Sequence, residues 1–545
     1  MPPRPRPTGL WRAAAWLALA LGAGPPALAQ ALASHLPIVL IETSGPVPDE
    51  PKVPGRMRVI DNARGLNRAT DPPTGYDGHI GIEVRGATSQ AFPKKQYALE
   101  TRTAAGENRD VPLLGMPEEN DWILHAPYAD KTLVRNVVAY RLARAMGRYA
   151  SRTRFCEVVL NGEYQGVYVL LESIKRDRSR VDVARLRPEE VSGDDLTGGY
   201  IVKVDKGAGD EQGGWLSPFP PPYAHTRRVR WQFHDPRPSE VAPEQAAYIE
   251  RVVTDFEGAV LSDDFEDPER GFLPHVDLGS FVDLVIHTEV TKNIDGYRAS
   301  AYLHKDKDSR DGRLRAGPVW DFNLAMGNAS WGGGASHRGF QFDWDERADG
   351  EPIPFWWPRM ARSRPFGEAL APRWAELRRG PLHTDSLLAL VDAAVAELGD
   401  AAARDLARWG TEGRHVWGNA YVGRTHDHDV RYLKEYLRRR VGWLDRAFAG
   451  GLDPGPNAAL ALSPVSPAPA SGDVRATLAT GTAERVRVEL VDALGRRARL
   501  VFEGPVEGGV RELSFSVAGL ASGAYRLIAS GIGGSVSRPL VVVRR

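Results

Sequence analysis

The sequence contains a single cysteine, Cys156, so no intrachain disulfide can form. Small disulfide-stapled folds are thereby excluded, and the 545 residues, 42% of them hydrophobic, must be stabilised by a buried core. Cys156 stands in the apolar stretch FCEVVL, and the sequence offers it no activating partner. A buried structural thiol in a strand is therefore expected rather than a nucleophile.

An excess of charge of one sign is also missing. Lys plus Arg and Asp plus Glu number 70 each, so the formal net charge is zero. This balance argues against a general polyanion binder, and no nucleic-acid partner is expected.

Long hydrophobic runs are confined to the N-terminus. Three arginines accompany the stretch AAAWLALALGAG, which is followed by the small-x-small pattern Ala27-Leu28-Ala29. The pattern predicts a secretory signal peptide over 1–29, with an uncleaved anchor as the alternative. No later stretch is apolar enough for a membrane span, so we expect an exported protein with no integral membrane segment after cleavage.

The remaining chain alternates between two periodicities, which together predict an α+β fold. Period-2 stretches predict several strands within 36–100, and Asn161-Gly162 between two apolar runs predicts a hairpin. A helix is expected at about 131–146, and the pattern becomes mostly helical from 275 onward, where Asp277 is expected to cap the next helix. We take 30–450 as one domain.

The C-terminal part differs in composition and in its hydrophobic pattern. Residues 451–471 are rich in Pro, Ala, Gly and Ser, as in linkers. Short alternating strands with Gly-rich turns then run over 472–545, which predicts a small all-β sandwich.

Two acids stand in positions that suggest chemistry. Asp321 interrupts the apolar segment GPVWDFNLAMGN, and Asp295 directly follows a predicted helix in NIDGYRASAYLH. Protein kinases use the same order: one Asp near the acceptor hydroxyl, then, after a hairpin, a second Asp on the metal. The alternative is structural, with Asp295 capping a turn and Asp321 paired with an arginine.

Basic residues upstream of these acids suit phosphate binding. The stretch GIEVRGATSQAFPKKQYALE offers Arg85, the small polar turn Gly86–Ser89 and Lys95. On a strand, Lys95 shares one face with Tyr97 and Leu99, which predicts an inward-facing lysine. A solvated basic edge strand is the alternative.

These stretches resemble the spore-coat-protein-H (CotH) kinase-like family. The matching segments are LPIVLIET, IEVRGATSQAFPKKQYALE, NDWILHAPYADKTLVRNVVAYRLARAMG, VVLNGEYQGVYVLLESI, GGYIVKVD, NIDGYRASAYLHKD and GPVWDFNLAMGN. They occur in family order within 36–447. The resemblance implies an atypical protein-kinase-like fold and a secreted transferase. Such an enzyme moves the γ-phosphate of ATP, with Mg²⁺ or Mn²⁺, to Ser or Thr of an extracellular or surface protein.

By position, the resemblance implies a set of candidate site residues. These are Asp295 as the catalytic residue, Arg85, Lys95 and Glu172 as nucleotide contacts, and Asp321, Asn323 and Ser300 as metal ligands. Ser300 stands where the family usually has Asn, and Asn323 where it has a second acid. Because both changes weaken metal binding, a catalytically inactive kinase-like surface scaffold or adhesin is the alternative function.

The terminal domain has a resemblance of its own. VELVDALGRRARLVFEG, GLASGAYRL and RPLVVVRR resemble a type IX secretion C-terminal sorting domain. This implies a Gram-negative host, secretion machinery as a partner, and a final location at the cell surface or outside the cell. A plain immunoglobulin-like adhesive module is the alternative.

Overall fold

The computed structural model describes residues 31–63, 65–206, 213–219, 228–344, 352–449, 461–463, 465–480, 484–492, 496–506, 509–531 and 534–544. The signal peptide predicted over 1–29 lies outside these residues, as does the first part of the predicted linker, 451–460. Both stay predictions.

The first structural unit is a closed barrel of seven strands. The strands in this part of the chain are β1 (Ala33–Ser34), β2 (Ile38–Thr43), β3 (Val53–Ile60), β4 (Asn67–Arg68), β5 (Tyr76–Arg85), β6 (Gln96–Arg102), β7 (Val111–Leu113), β8 (Met116–Glu119), β9 (Asp121–His125), β10 (Thr153–Leu160) and β11 (Glu163–Glu172). The barrel order is β10-β11-β9-β6-β5-β3-β2, and parallel pairing of β10 with β2 closes it. The pairs β1-β4 and β7-β8 lie outside the barrel.

Local sequence signals account for the barrel's construction. Asn161 and Gly162 both have positive φ, 50° and 79°, as a two-residue turn between twisted strands requires, and they join β10 to β11. Alternate side chains fill the interior, including Tyr97 and Leu99 of β6. The predicted hairpin is confirmed, and Cys156 is buried inside the barrel.

The second unit combines an antiparallel sheet with helices. Its strands are β12 (Tyr200–Val204), β13 (Gly214–Leu216), β14 (Arg230–Asp235), β15 (Ala301–Lys305) and β16 (Arg315–Ala316), in the order β13-β14-β12-β15-β16. The helices are α1 (Arg135–Ala145), α2 (Gly193–Leu196), α3 (Pro243–Leu261), α4 (Leu278–Thr291), α5 (Trp356–Ala361), α6 (Arg364–Arg378), α7 (Thr384–Leu398), α8 (Ala401–Trp409) and α9 (His426–Ala449).

Helix α4 is the central element of this unit. The Asp277 side chain caps its start by accepting a hydrogen bond from the Ser280 N–H at 2.8 Å, as the sequence predicts. Every residue from Ser280 to Thr291 is buried, because the helix packs against α1, α6, α9 and β16. Lys292 ends the helix with φ 46°, and the chain then turns toward Asp295. The rigid core thus fixes where Asp295 lies.

A buried ion pair ties the barrel to helix α8. Lys94 Nζ lies 2.5 Å from Asp405 Oδ1 and also donates to the Val167 carbonyl at 2.6 Å. Burial lowers the pKa of Lys94 and raises the pKa of Asp405, so each charge depends on the other. Lys94 is therefore a structural residue.

We expect Lys94→Ala to lower the free energy of unfolding by about 3–5 kcal/mol, because Asp405 would be left buried without its partner. Lys95→Ala is the matched control: its ammonium contacts only the Gln90 carbonyl among the described residues. Its loss should cost about 1 kcal/mol. Urea unfolding followed by circular dichroism measures both variants. Equal losses would contradict the structural assignment of Lys94.

The C-terminal unit is all-β, as predicted. Its strands are β17 (Ala461–Leu462), β18 (Asp473–Thr480), β19 (Glu484–Asp492), β20 (Arg497–Val506), β21 (Gly509–Ser516), β22 (Gly523–Gly531) and β23 (Gly534–Val542). They form the sheets β17-β18-β21 and β20-β19-β22-β23 around a shared apolar core. Strand β17 pairs with β18 although it lies in the stretch predicted as linker.

Among the described residues, no helix is long and apolar enough to cross a membrane.

Candidate active site

A cavity of about 640 Å³ opens where the barrel meets the second unit. Its walls come from the end of β5 and the turn after it, from β9 and α1, from the segment after β12, and from the two acidic loops. Of the seven candidate residues, the cavity brings together Arg85, Asp295, Ser300, Asp321 and Asn323. Distant parts of the sequence therefore converge here.

The Asp295 carboxylate is held by two cations. Lys206 Nζ lies 3.3 Å from Oδ2, and the Arg298 guanidinium lies 3.4 Å from Oδ1. Asn293 links the two acidic loops, because its side chain accepts from the Asp295 N–H at 3.2 Å and donates to the Asp321 carbonyl at 2.8 Å. The two aspartates are thus fixed relative to each other by one amide.

The backbone at Asp321 explains why an acid stands among apolar residues. Asp321 has φ 57°, in the left-handed region, and its N–H donates to the Tyr140 hydroxyl at 3.2 Å. Trp320 stacks on the Tyr140 ring at 5.9 Å, and Phe322 is buried. The turn lets the aromatic neighbours pack inward while the Asp321 carboxylate projects into the cavity.

Electrostatics at Asp321 favour a bound cation. The side chain is exposed to the cavity, yet protein surrounds that cavity, and this enclosure raises the pKa of the carboxyl by desolvation. The charge of Asp295 raises it further, while Lys206 and Arg85 act in the opposite direction. Two carboxylates facing one cavity repel each other; Lys206 and Arg85 offset part of this repulsion at Asp321, and a divalent cation bound there would offset it further.

The donor set fits a magnesium-like ion that also binds phosphate. Mg²⁺ is commonly held by one or two carboxylates plus phosphate oxygens and water, not by a complete protein cage. Asp321 offers such a carboxylate, and the Asn323 side chain donates to it at 3.0 Å. In the described part of the chain, no group of three or more His, Cys, Asp or Glu side chains is placed to hold a metal.

Two candidate residues lie elsewhere. Glu172 is fully buried and its carboxylate binds Arg152 at 2.7 Å, while the Lys95 ammonium donates to the Gln90 carbonyl. Strand β6 begins only at Gln96, so Lys95 lies just before it. The strand face that carries Tyr97 packs into the barrel core and does not line the cavity. The nucleotide-contact roles of Lys95 and Glu172 stay predictions that the cavity lining does not support.

The cavity also contains cations that the sequence reasoning missed. Lys203 and Lys206 flank Asp205 at the end of β12, and all three residues line the cavity. Lys203 Nζ binds Asp205 at 2.8 Å, while Lys206 reaches Asp295. The segment GGYIVKVD is part of the family resemblance. It contains Lys203 and directly precedes Lys206, so this segment could have pointed to cations at the site.

A buried amide and imidazole support the Asp321 segment. The Asn136 side chain accepts from the Phe322 N–H at 2.6 Å and donates to His125 Nε2 at 2.9 Å, while His125 Nδ1 donates to Gln96. Burial, and then the Arg85 charge, lower the pKa of His125 to about 3. The imidazole is therefore neutral, as its acceptor role at Nε2 requires.

Basic and aromatic groups complete the walls. Arg85 lies over the Trp320 ring, 5.6 Å from its centroid, and the predicted turn Gly86–Ser89 lines the same side. Trp331 and Trp417 contact each other at 4.9 Å between ring centroids, and both line the cavity.

The fold and site define an α+β protein with two acidic loops and several cations facing one cavity between a barrel and a second sheet. The sequence model of the CotH kinase protein family matches residues 82–444. The match covers more than half of the chain, so the chain belongs to the CotH kinase family. This confirms the family assignment.

Other comparisons add little. No curated protein matches the chain. One solved structure with local similarity is the Pseudomonas fluorescens alkylpurine DNA glycosylase AlkC bound to DNA containing an abasic site analog. It is 11% identical, with 35% of this chain and 52% of that chain covered and a TM-score of 0.12. The chain thus spans about half the length of that structure, and the similarity supports no argument about fold or function.

Proposed function

We propose that this chain is an atypical protein kinase that transfers the γ-phosphate of ATP to Ser or Thr of an extracellular or surface protein. The observation that carries the proposal is the pair Asp295 and Asp321, tied together by Asn293 and facing one cavity with Arg85 and Lys206. Family membership supports the reaction class and, in general, the use of ATP and a divalent cation.

Each residue has a separate role in this proposal. Bound ATP supplies the phosphoryl group, and Mg²⁺ or Mn²⁺ offsets its charge. Asp295 orients the acceptor hydroxyl and takes its proton as the new oxygen–phosphorus bond forms and the bond to the β-phosphate oxygen breaks, releasing ADP. Asp321 holds the cation, with Asn323 and Ser300 beside it. Arg85 and Lys206 neutralise phosphate charge.

The second candidate is a catalytically inactive scaffold or adhesin that keeps this fold. The favouring observation is that Asn323 gives Asp321 an amide donor where the family has a second acid. A single carboxylate in this segment binds a hard cation less strongly.

One experiment separates the two functions. The mature protein is incubated with labelled ATP and either Mg²⁺ or Mn²⁺, and autophosphorylation is measured alongside the thermal shift caused by nucleotide. Label incorporation supports the kinase. Absence of both label and thermal shift with either metal supports the scaffold.

We also propose that the C-terminal all-β unit directs secretion through a type IX system and that residues 1–29 are removed during export. Deletion of 472–545 removes the proposed sorting signal. The remaining CotH-family domain is then expected to stay folded in the periplasm instead of reaching the cell surface. Cell fractionation with antibody detection measures this. Normal surface arrival of the truncated protein contradicts the sorting role.

A further inference from the structure

One wall of the candidate active site is apolar and has no role in the proposed reaction. The phosphates, the cation and the acceptor hydroxyl are all assigned to the charged residues of the cavity. The apolar wall is lined by Phe92, Leu324, Trp331 and Trp417. The Trp417 ring contacts Trp331 at 4.9 Å and Phe92 at 6.3 Å between ring centroids, so the aromatic rings form one continuous surface.

The backbone holds the two indoles of this wall in a fixed arrangement. The Ser330 N–H donates to the Gly418 carbonyl at 2.9 Å, and the Asn419 side chain donates to Asn328 Oδ1, also at 2.9 Å. Gly418 has φ 100°, and a Cβ at this position would lie 3.1 Å from the Leu324 side chain. The close approach of the two segments therefore depends on glycine.

Trp417 leaves much of its ring open to the cavity. It is 52% exposed, more than any other tryptophan in the described part of the chain. A large aromatic face that is held rigidly and left in contact with water is typical of recognition sites, because a ligand that covers it releases that water at little cost in side-chain entropy.

The loop that carries Trp331 packs beside the proposed general base. Ile294 directly precedes Asp295, and a Cβ at Gly332 would lie 3.2 Å from the Ile294 Cβ. In phosphoryl transfer the attacking and leaving oxygens lie roughly in line, on opposite sides of the phosphorus. Asp295 therefore marks the side on which the acceptor enters, and the nucleoside extends from the opposite side. The apolar wall adjoins the acceptor side.

We propose that Trp331 and Trp417 bind an aromatic side chain of the acceptor polypeptide, close to the Ser or Thr that is phosphorylated. An aromatic ring that stacks on the open face of Trp417 removes both apolar faces from water, which a small or polar side chain does not achieve. This inference rests on the proposed kinase function, because Asp295 defines the acceptor side of the cavity.

Two fluorescein-labelled peptides test the inference by anisotropy with the full mature chain, a non-hydrolysable ATP analogue and Mg²⁺. Each has one serine, flanked on both sides by phenylalanine in one peptide and by glutamine in the other. We expect the phenylalanine peptide to bind at least fivefold more tightly, the scale of a buried aromatic contact. Trp417→Ala should abolish this preference, and Trp417→Phe should keep most of it because a ring remains.

Trp344→Ala is the matched control. Trp344 is 39% exposed and packs against Gly333 of the same loop, but it does not line the cavity. Its loss should leave the peptide preference unchanged. Calorimetric titration with the ATP analogue alone should give the same affinity for Trp417→Ala as for the wild type.

Three results overturn the inference: equal affinity for the two peptides, an unchanged preference in Trp417→Ala, or a loss of ATP-analogue affinity in Trp417→Ala, which would assign the wall to the nucleobase. If Trp417→Ala fails to fold, Trp417→Gln replaces it and is judged in the same way. These readouts measure binding and not transfer. A chain that binds the phenylalanine peptide through Trp417 without phosphorylating it would contradict the kinase function and leave the aromatic preference confirmed.

Discussion

Asp295→Asn is expected to lower phosphoryl transfer by about 10²-fold or more while leaving ATP binding nearly unchanged. The amide keeps the size of the side chain but cannot take the proton of the acceptor hydroxyl, and loss of a general base has an effect of this size. Initial rates of phosphate incorporation and calorimetric titration with a non-hydrolysable ATP analogue measure the two properties separately.

Asp49→Asn is the matched control for this change. Asp49 lies in the same cavity, and among the described residues its side chain only accepts a hydrogen bond from the Gln90 side chain, which asparagine can also accept. Its transfer rate should stay close to that of the wild type. An Asp295→Asn protein with wild-type transfer would show that Asp295 only holds Lys206 and Arg298 in place.

Asp321→Asn is expected to reduce Mg²⁺-dependent ATP affinity by about tenfold or more, because the cation loses the one carboxylate in this segment. The variant keeps the side-chain volume, and its amide oxygen can still accept from Asn323. Affinity measured without Mg²⁺ should change little. Titrations with the non-hydrolysable analogue, with and without Mg²⁺, give the difference directly.

The two aspartate variants should therefore separate, one affecting transfer and the other metal-linked binding. If Asp321→Asn binds nucleotide and Mg²⁺ like the wild type, Asp321 is a structural acid and the kinase proposal loses its main support. A gain in thermal stability of the Asp321→Asn variant would agree with the kinase proposal, because the change removes the repulsion between the Asp321 and Asp295 carboxylates.

The sequence by itself determined the local structure and the family. The Asn161-Gly162 hairpin and the Asp277 helix cap depend on neighbouring residues only, so their patterns predict them directly. The spacing of Asp295 and Asp321 around a hairpin predicts that both acids serve one site, and in the structure both line the same cavity. Continuous motifs also sufficed for membership in the CotH kinase family.

Only the tertiary structure decided which basic residues serve the site. A period of two identifies the residues that share a strand face, but it does not tell whether that face meets a core or a cavity. That period predicts a phosphate-binding role for Lys95, although Lys95 precedes the strand and the face of Tyr97 and Leu99 fills the barrel. The salt bridge between Lys206 and Asp295 joins residues 89 positions apart. Contacts of that range depend on how the barrel and the second sheet pack, which no local pattern records.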